Sequence, residues 1–357
     1  MQTLKNFPVF FGCTDEPAED DIFADMKWAI DPETGVIQLT ELIPLEILYK
    51  EQHVDGCGAT WMKQYESFAS YIAEKNPNSV LEIGGGQGTL AELVTQKLPN
   101  AEWAIIEPNP THKGSDQIKI IKGFFDENFK YDKEINIVVF SHVWEHAYDP
   151  RLFIEHIASF LKPGGKLIFA YPDLKLWLEK KYTNAINFEH TMLLTDHHVE
   201  YLLRQYGFRL VDKRPYEDNS FFYTAEKVDE KLDDAPIENK YEEYKKIFMD
   251  YVEYHEKMIA EINDKVEKAD TPVYLFGAHI FSQHLISCGL KIDKVVSILD
   301  NSPTKQGKRL YGTNLITESP KILADKSIVN VILKAGVHNE EIKKDILENI
   351  NDQVVFW

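Results

Sequence analysis

The sequence predicts an α/β protein with two doubly wound sheets, a larger one in the middle of the chain and a smaller one at its end. Three observations carry this. Short apolar, β-favouring runs recur through residues 80–140, each closing on glycines, an acid or a polar cluster, the pattern of strands buried on both faces. Val80-Leu81-Glu82-Ile83 breaks into Gly84-Gly85-Gly86-Gln87-Gly88 where helical spacing begins at Thr89. A smaller echo follows at Val273-Tyr274-Leu275-Phe276, Gly277-Ala278 and a helix over Ile280–Cys288.

Residues 1–60 form an N-terminal region of short apolar pieces, among them Gly35–Leu39 and Leu42–Tyr49. Residues 61–225 hold the larger sheet. A helix over Trp61–Ala73 leads in, with Trp61, Tyr65, Phe68, Ala69 and Ile72 at helical spacing. Val80–Ile83 is the first strand, and its glycines let the backbone turn sharply and approach a ligand. A second strand, Trp103–Ile106, ends in Glu107, roughly twenty residues on, where an acid meets ribose hydroxyls. Ile118–Ile121 is the third strand, followed by Phe124-Phe125-Asp126. The fourth, Ile135–Phe140, runs into Ser141-His142-Val143-Trp144-Glu145-His146. Phe160–Gly165 is a connector before the fifth strand, Lys166–Ala170, which Tyr171-Pro172-Asp173 ends. A helix over His198–Tyr206 stops at Gly207 before a sixth strand, Phe208–Val211, and a seventh, Phe221–Ala225.

Residues 226–270 comprise a charged linker containing Asp233-Asp234-Ala235-Pro236 and a long helix from Lys240 to Val266, whose apolar stripe reads as a packing face. Residues 271–357 form the second α/β domain, with further strands at Val295–Leu299, Ile328–Leu333 and Val354–Trp357.

The central series, with its acid-Ile-Gly-Gly-Gly-Gln-Gly turn opened by Glu82, resembles class I S-adenosylmethionine-dependent methyltransferases. The resemblance implies a Rossmann-like core whose last two strands pair antiparallel, and a smaller Rossmann-like domain behind it. It also implies that S-adenosyl-L-methionine is the cofactor. Glu82, Gly84, Gly85, Gly86 and Gly88 would form its turn and Glu107 would bind the ribose. Phe124, Phe125 or Asp126 would lie near the adenine, and Ser141 would complete the set. A plain βα turn and core aromatics are the alternatives for these glycines and phenylalanines.

Composition narrows the partners. Lys+Arg 39 against Asp+Glu 58 gives a formal charge of −19, a surface that repels nucleic acid and anionic membranes. Cys13, Cys57 and Cys288 match neither a zinc spacing nor a disulfide framework. No signal peptide or membrane-length apolar run is read, so a soluble cytoplasmic protein is expected, as a monomer or homodimer.

The two-part layout resembles sugar C-methyltransferases acting on nucleotide-linked deoxysugars. The closest matching segments are Tyr274–Ala278, Asp300–Gly307 and Tyr311-Gly312-Thr313, with Gly35–Leu39 and Trp61 in the N-terminal part. Two departures stand out. Asp31-Pro32-Glu33-Thr34 replaces the family's paired cysteines, so no zinc or other metal is expected. The family's His-Glu-His segment reads Phe188-Glu189-His190-Thr191-Met192, and a later histidine is replaced within Tyr216–Ser220.

Methyl transfer from a sulfonium needs orientation and a group to take the acceptor's proton. His190 is the expected base, with Glu189 orienting it or touching a sugar hydroxyl. His142 and His146, just past the fourth strand, and Tyr171, past the fifth, are further candidates because ligands collect at that sheet edge. Ser141–Trp144 stands where nucleic-acid and glutamine N-methyltransferases carry Asp/Asn-Pro-Pro-Tyr, which disfavours that class. The expected substrate is a small molecule, a sugar nucleotide first. An O-methyltransferase for another small molecule, or an inactive cofactor-binding scaffold, remains open, as does C- against O-methylation.

Overall fold

The computed structural model describes residues 2–49, 59–229 and 235–357; Cys57 and the Asp233-Asp234 part of the linker lie outside them. The chain divides into two compact units. One comprises Tyr49–Leu174 and Glu189–Asn239, the other Met1–Leu48, Lys175–Phe188 and Lys240–Trp357.

The first unit is built on a seven-stranded sheet. Its strands are β1 (Ser79–Ile83), β2 (Glu102–Glu107), β3 (Ile118–Lys122), β4 (Ile135–Ser141), β5 (Leu161–Pro172), β6 (Phe208–Tyr216) and β7 (Ser220–Lys227), in the order β6-β7-β5-β4-β1-β2-β3. The strands from β3 to β5 pair in parallel, and β7 is antiparallel to both β5 and β6. Their interiors are continuous apolar runs because helices cover both faces: Val80, Leu81, Ile105, Val138, Val139 and Ile168 are all buried. Helix α1 (Ala59–Ala73) contributes Phe68, Ala69 and Ile72 to one core, and α2 (Thr89–Lys97) adds Leu90, Ala91 and Val94. Asp149 caps α3 (Pro150–Phe160) by accepting the Arg151 and Leu152 N–H groups at 2.9 and 3.0 Å, with Pro150 pre-set in the first turn. Thr195 and His198 form a capping box on α4 (Asp196–Gln205).

β5 starts earlier than its sequence pattern suggests. Leu161 already pairs with Ile135, and the register then shifts before Lys166 meets Ile137. Gly164, at φ +86°, lies within the slack, so a segment that reads as a connector is a bulged strand start.

The second unit carries a five-stranded parallel sheet. Its order is Thr317–Glu318, Val295–Leu299, Val273–Phe276, Val329–Leu333, Val354–Phe356. The same unit includes antiparallel N-terminal strands, Gln2–Pro8, Phe23–Ile30 and Ile37–Leu39. Fully buried Trp28 packs against Phe248 of the long helix Tyr241–Lys268. At the position of the missing cysteines, the Asp31 carboxylate accepts the N–H groups of Glu33 and Thr34 and the Thr34 hydroxyl, at 2.7–3.0 Å. The segment thus closes as a turn on its own hydrogen bonds.

Arg309 fixes the N-terminal segment within this unit. Its guanidinium reaches both Asp21 oxygens, at 2.7 and 2.6 Å, while Asp21 also accepts the Gly312 N–H. The two side chains are 10% and 2% exposed, so losing one partner leaves the other charge buried. Replacing Asp21 with Ala is expected to lower the stability of this unit by about 3–5 kcal/mol, measured by denaturant unfolding. A loss below about 1 kcal/mol would show the pair to be an ordinary surface contact.

Candidate active site

The turn after β1 is shaped by positive φ angles, +75° at Gly84 and +74° at Gly88. A Cβ at Gly84 would stand 2.7 Å from Val143, and one at Gly88 2.6 Å from the His112 ring, so side chains fit at neither. Gly84 N–H donates to the Ile106 carbonyl, tying the turn to β2. Glu107, at the end of β2, accepts Gly86 N–H at 3.2 Å and Asn109 N–H at 3.0 Å, so its carboxylate is held beside the turn.

Glu82 lies beneath this turn. It is 3% exposed and accepts the Trp103 indole N–H at 2.6 Å. A Cβ on Gly85 would come 2.7 Å from its carboxyl carbon. Burial pushes its pKa up to about 7; the Trp103 bond opposes the rise and the Glu107 charge adds to it. Glu82 therefore supports the turn from inside. His112 closes it from outside: its Nδ1 accepts Gly114 N–H, leaving Nε2 to donate to Glu92 at 3.0 Å.

The two phenylalanines after β3 part company. Phe125 packs in a ring cluster with Phe129, Phe153, His156 and Phe160. Phe124 is 44% exposed, its edge toward Tyr49. Asp126 accepts Asn128 N–H in its own turn.

Past β4 the chain bends at His142, at φ +55°. Its Nδ1 lies 3.2 Å from Ser141 Oγ, its Nε2 3.4 Å from Gln64 Nε2, and the Trp61 ring meets its face. Burial, with the His146 and His190 charges, pushes its pKa down to about 3, so the ring is neutral at physiological pH. Gln64 also donates to Ser220 and accepts from Asn219, joining the β6–β7 turn to this edge.

One turn further stand Glu145 and His146. Glu145 is 2% exposed, and burial, with Glu189's charge, raises its pKa to about 8 against the opposing effect of a backbone hydrogen bond. His146 Nδ1 is 3.4 Å from Glu189 Oε2, and the His146 and His190 rings lie 5.3 Å apart, edge to face. Two hydrogen bonds hold the Glu189–Thr191 segment here, from Thr191 N–H to the Glu145 carbonyl and from the Thr191 hydroxyl to the Ala147 carbonyl. Glu189 thus faces His146, whereas the sequence led to the expectation that it orients His190 or touches a sugar hydroxyl.

Tyr171 is 1% exposed beside Trp144, and burial raises its pKa well above the usual phenol value, so it stays protonated. Tyr49 is a member the sequence did not single out. Burial, with the charges of Glu189, Tyr148, Glu145 and Glu107, likewise raises its pKa. In the smaller sheet, the acid just past the strand Val295–Leu299 is engaged by the turns around it. Asp300 accepts Ala278 N–H and Ser302 N–H, both at 2.9 Å.

Residues 59–213 match the family model described as a methyltransferase domain. Comparison with curated proteins gives no match. Similar solved structures include an O-methyltransferase family protein from Burkholderia thailandensis, 17% identical over 47% of this chain and 56% of that one, at TM-score 0.39. The 1,6-didemethyltoxoflavin-N1-methyltransferase of the same organism is 13% identical over 47% and 78%, at TM-score 0.38. The mitomycin 7-O-methyltransferase MmcR is 18% identical over 47% and 55%, at TM-score 0.40. The chain spans little more than half of the first and third of these proteins.

The matched region, with its sheet order and glycine turn, has the Rossmann-like fold of a class I methyltransferase core, for which the sequence leads to the expectation of S-adenosylmethionine as cofactor. The residues present fit that group: glycine backbone at the turn, with the Glu107 carboxylate beside it at the end of β2. Among the described residues no helix is long and apolar enough to cross a membrane.

Two outcomes test this geometry. Gly86→Leu is expected to weaken S-adenosylhomocysteine binding at least about tenfold in calorimetry, because a side chain there obstructs close backbone approach; unchanged affinity would remove the turn from the cofactor site. Glu82 binds an extra proton in the folded state between its ordinary pKa of 4.5 and about 7. Stability should therefore fall by roughly 3 kcal/mol as pH rises through that window and level off above it. Glu82→Gln should flatten this part of the profile in pH-dependent unfolding; an unaltered slope would show that Glu82 is not its source.

Proposed function

We propose that the chain is an enzyme that transfers the methyl group of S-adenosylmethionine to a small polar acceptor, with a nucleotide-linked sugar as the first candidate. The observation that carries this reading is the imidazole–carboxylate cluster of His146, Glu189 and His190, at the sheet edge where the glycine turn also lies. The cofactor supplies an electrophilic methyl on sulfur. Gly84, Gly86, Gly88 and Glu107 hold it, with Gly85 and Ser141 at the margins and exposed Phe124 the better placed aromatic for its adenine. Glu82 acts through the turn it supports.

The acceptor loses its proton at the cluster. Glu189 against His146 Nδ1 favours the tautomer whose Nε2 carries the lone pair, and His190 lies across from that ring. Neutral His142 lines the same edge, while protonated Tyr49 and Tyr171 are hydrogen-bond donors suited to acceptor oxygens. Hydroxyl-rich acceptors suit this lining, and the charge of −19 suits a cytoplasmic enzyme without nucleic-acid or membrane partners.

Mass spectrometry of products from a panel of nucleotide-activated sugars tests the acceptor class, which fails if no panel member gains a methyl group. On an accepted substrate, His190→Gln is expected to keep S-adenosylhomocysteine affinity and lower turnover roughly a hundredfold. Near-parental turnover would take His190 out of the mechanism.

A further inference from the structure

We propose that Glu145, His146 and His190 hold a divalent transition-metal cation, and that acceptors bind it through two neighbouring oxygens, as a vicinal diol or hydroxyketone does. The second half rests on the reading of this cluster as the acceptor site. One ligand atom from each of the three residues lies within 4.8 Å of the others, a spacing one ion can bridge. Glu145 is 2% and His190 8% exposed, so the donors are already stripped of bulk water.

Glu145 Oε2 carries the argument beyond proximity. It is buried, and among the described residues it has no hydrogen-bond partner. A buried carboxylate oxygen left in that state is costly, and a bound cation removes the cost. The setting is built for a ligand in two further respects. Glu189 stands 3.4 Å behind His146 Nδ1, as carboxylates stand behind metal-binding imidazoles to fix the ring and favour one tautomer. The Thr191 hydrogen bonds to Glu145 and Ala147 pin the His190 segment against the turn that carries the other two ligands.

Two imidazoles and one carboxylate form a donor set for manganese, iron, cobalt or zinc, whereas magnesium and calcium favour oxygen alone. Three protein donors leave positions for substrate oxygens, and a coordinated hydroxyl loses its proton more readily. In this arrangement His190 activates the acceptor as a ligand. The sequence led to the expectation of no metal at all, from the missing thiolates near Gly35; this donor set departs from that expectation and forms only when the loops after β4 and before α4 meet.

The test is calorimetric titration of metal-stripped full-length protein with Co²⁺ alone, followed by its visible absorption. One site per chain with a ligand-field band is expected. His146→Ala and Glu145→Ala should weaken it at least about tenfold, and Glu189→Gln roughly tenfold through loss of ring orientation. S-adenosylhomocysteine affinity measured on each variant establishes that the domain is folded. No site in the parent, or undiminished binding in folded ligand variants, overturns the inference. Methyl transfer that survives chelation yet falls in His190→Gln also overturns it while leaving the proposed function standing. A site that behaves as expected in a protein that methylates no acceptor upholds the cation and sinks the functional reading.

Discussion

Everything at the C-terminal edge of the larger sheet hangs on how little room surrounds the turn Gly84–Gly88. Val143 crowds it on one side, His112 on another, and the Glu82 carboxyl fills the space under Gly85. Such crowding is possible only because the backbone adopts left-handed angles without a Cβ. The turn in turn sets the height of Gly86 N–H, which meets Glu107, and so aligns the ends of β1 and β2. The segment that crowds Gly84 is the one that begins with His142 and leads to His146, so the glycine turn and the imidazole cluster share one steric boundary.

Burial decides the chemistry at this edge more than any single ion pair does. Glu82, Glu145, His142, Tyr49 and Tyr171 are all pushed toward their neutral forms by loss of water. Glu82 is satisfied by one indole N–H and becomes part of the scaffold. Glu145 has no comparable partner for Oε2, and its neighbours are imidazoles. Similar carboxyls at the ends of adjacent strands thus serve different ends because of what faces them.

Much of the fold was legible along the chain. Apolar runs and the strand-glycine-helix junctions marked the seven strands of one unit and the main strands of the other, because a parallel strand buried on both faces writes its burial into consecutive residues. β5 was misjudged at its start, since Pro163-Gly164-Gly165 reads locally as a connector and only the pairing of Leu161 with Ile135 makes it strand. Phe124 and Phe125 could not be separated by sequence. Which ring enters the cluster with Phe153 and Phe160 depends on how α3 lies against the segment. Gln64 and Tyr49 carried no local signal either, as neither belongs to a motif.

What the sequence determined by itself is the class of fold and the glycine turn after the first strand of the larger sheet, because periodicity and the need for glycine are properties of neighbouring residues. The tertiary structure alone decided that the N-terminal strands belong to one unit with the C-terminal sheet, where Asp21 meets Arg309 across a long stretch of sequence. It alone decided that Glu189 faces His146, and that Glu145, His146 and His190 converge. Contacts of that kind follow from how distant loops close over a finished sheet, and no local pattern of residues encodes the distance between them.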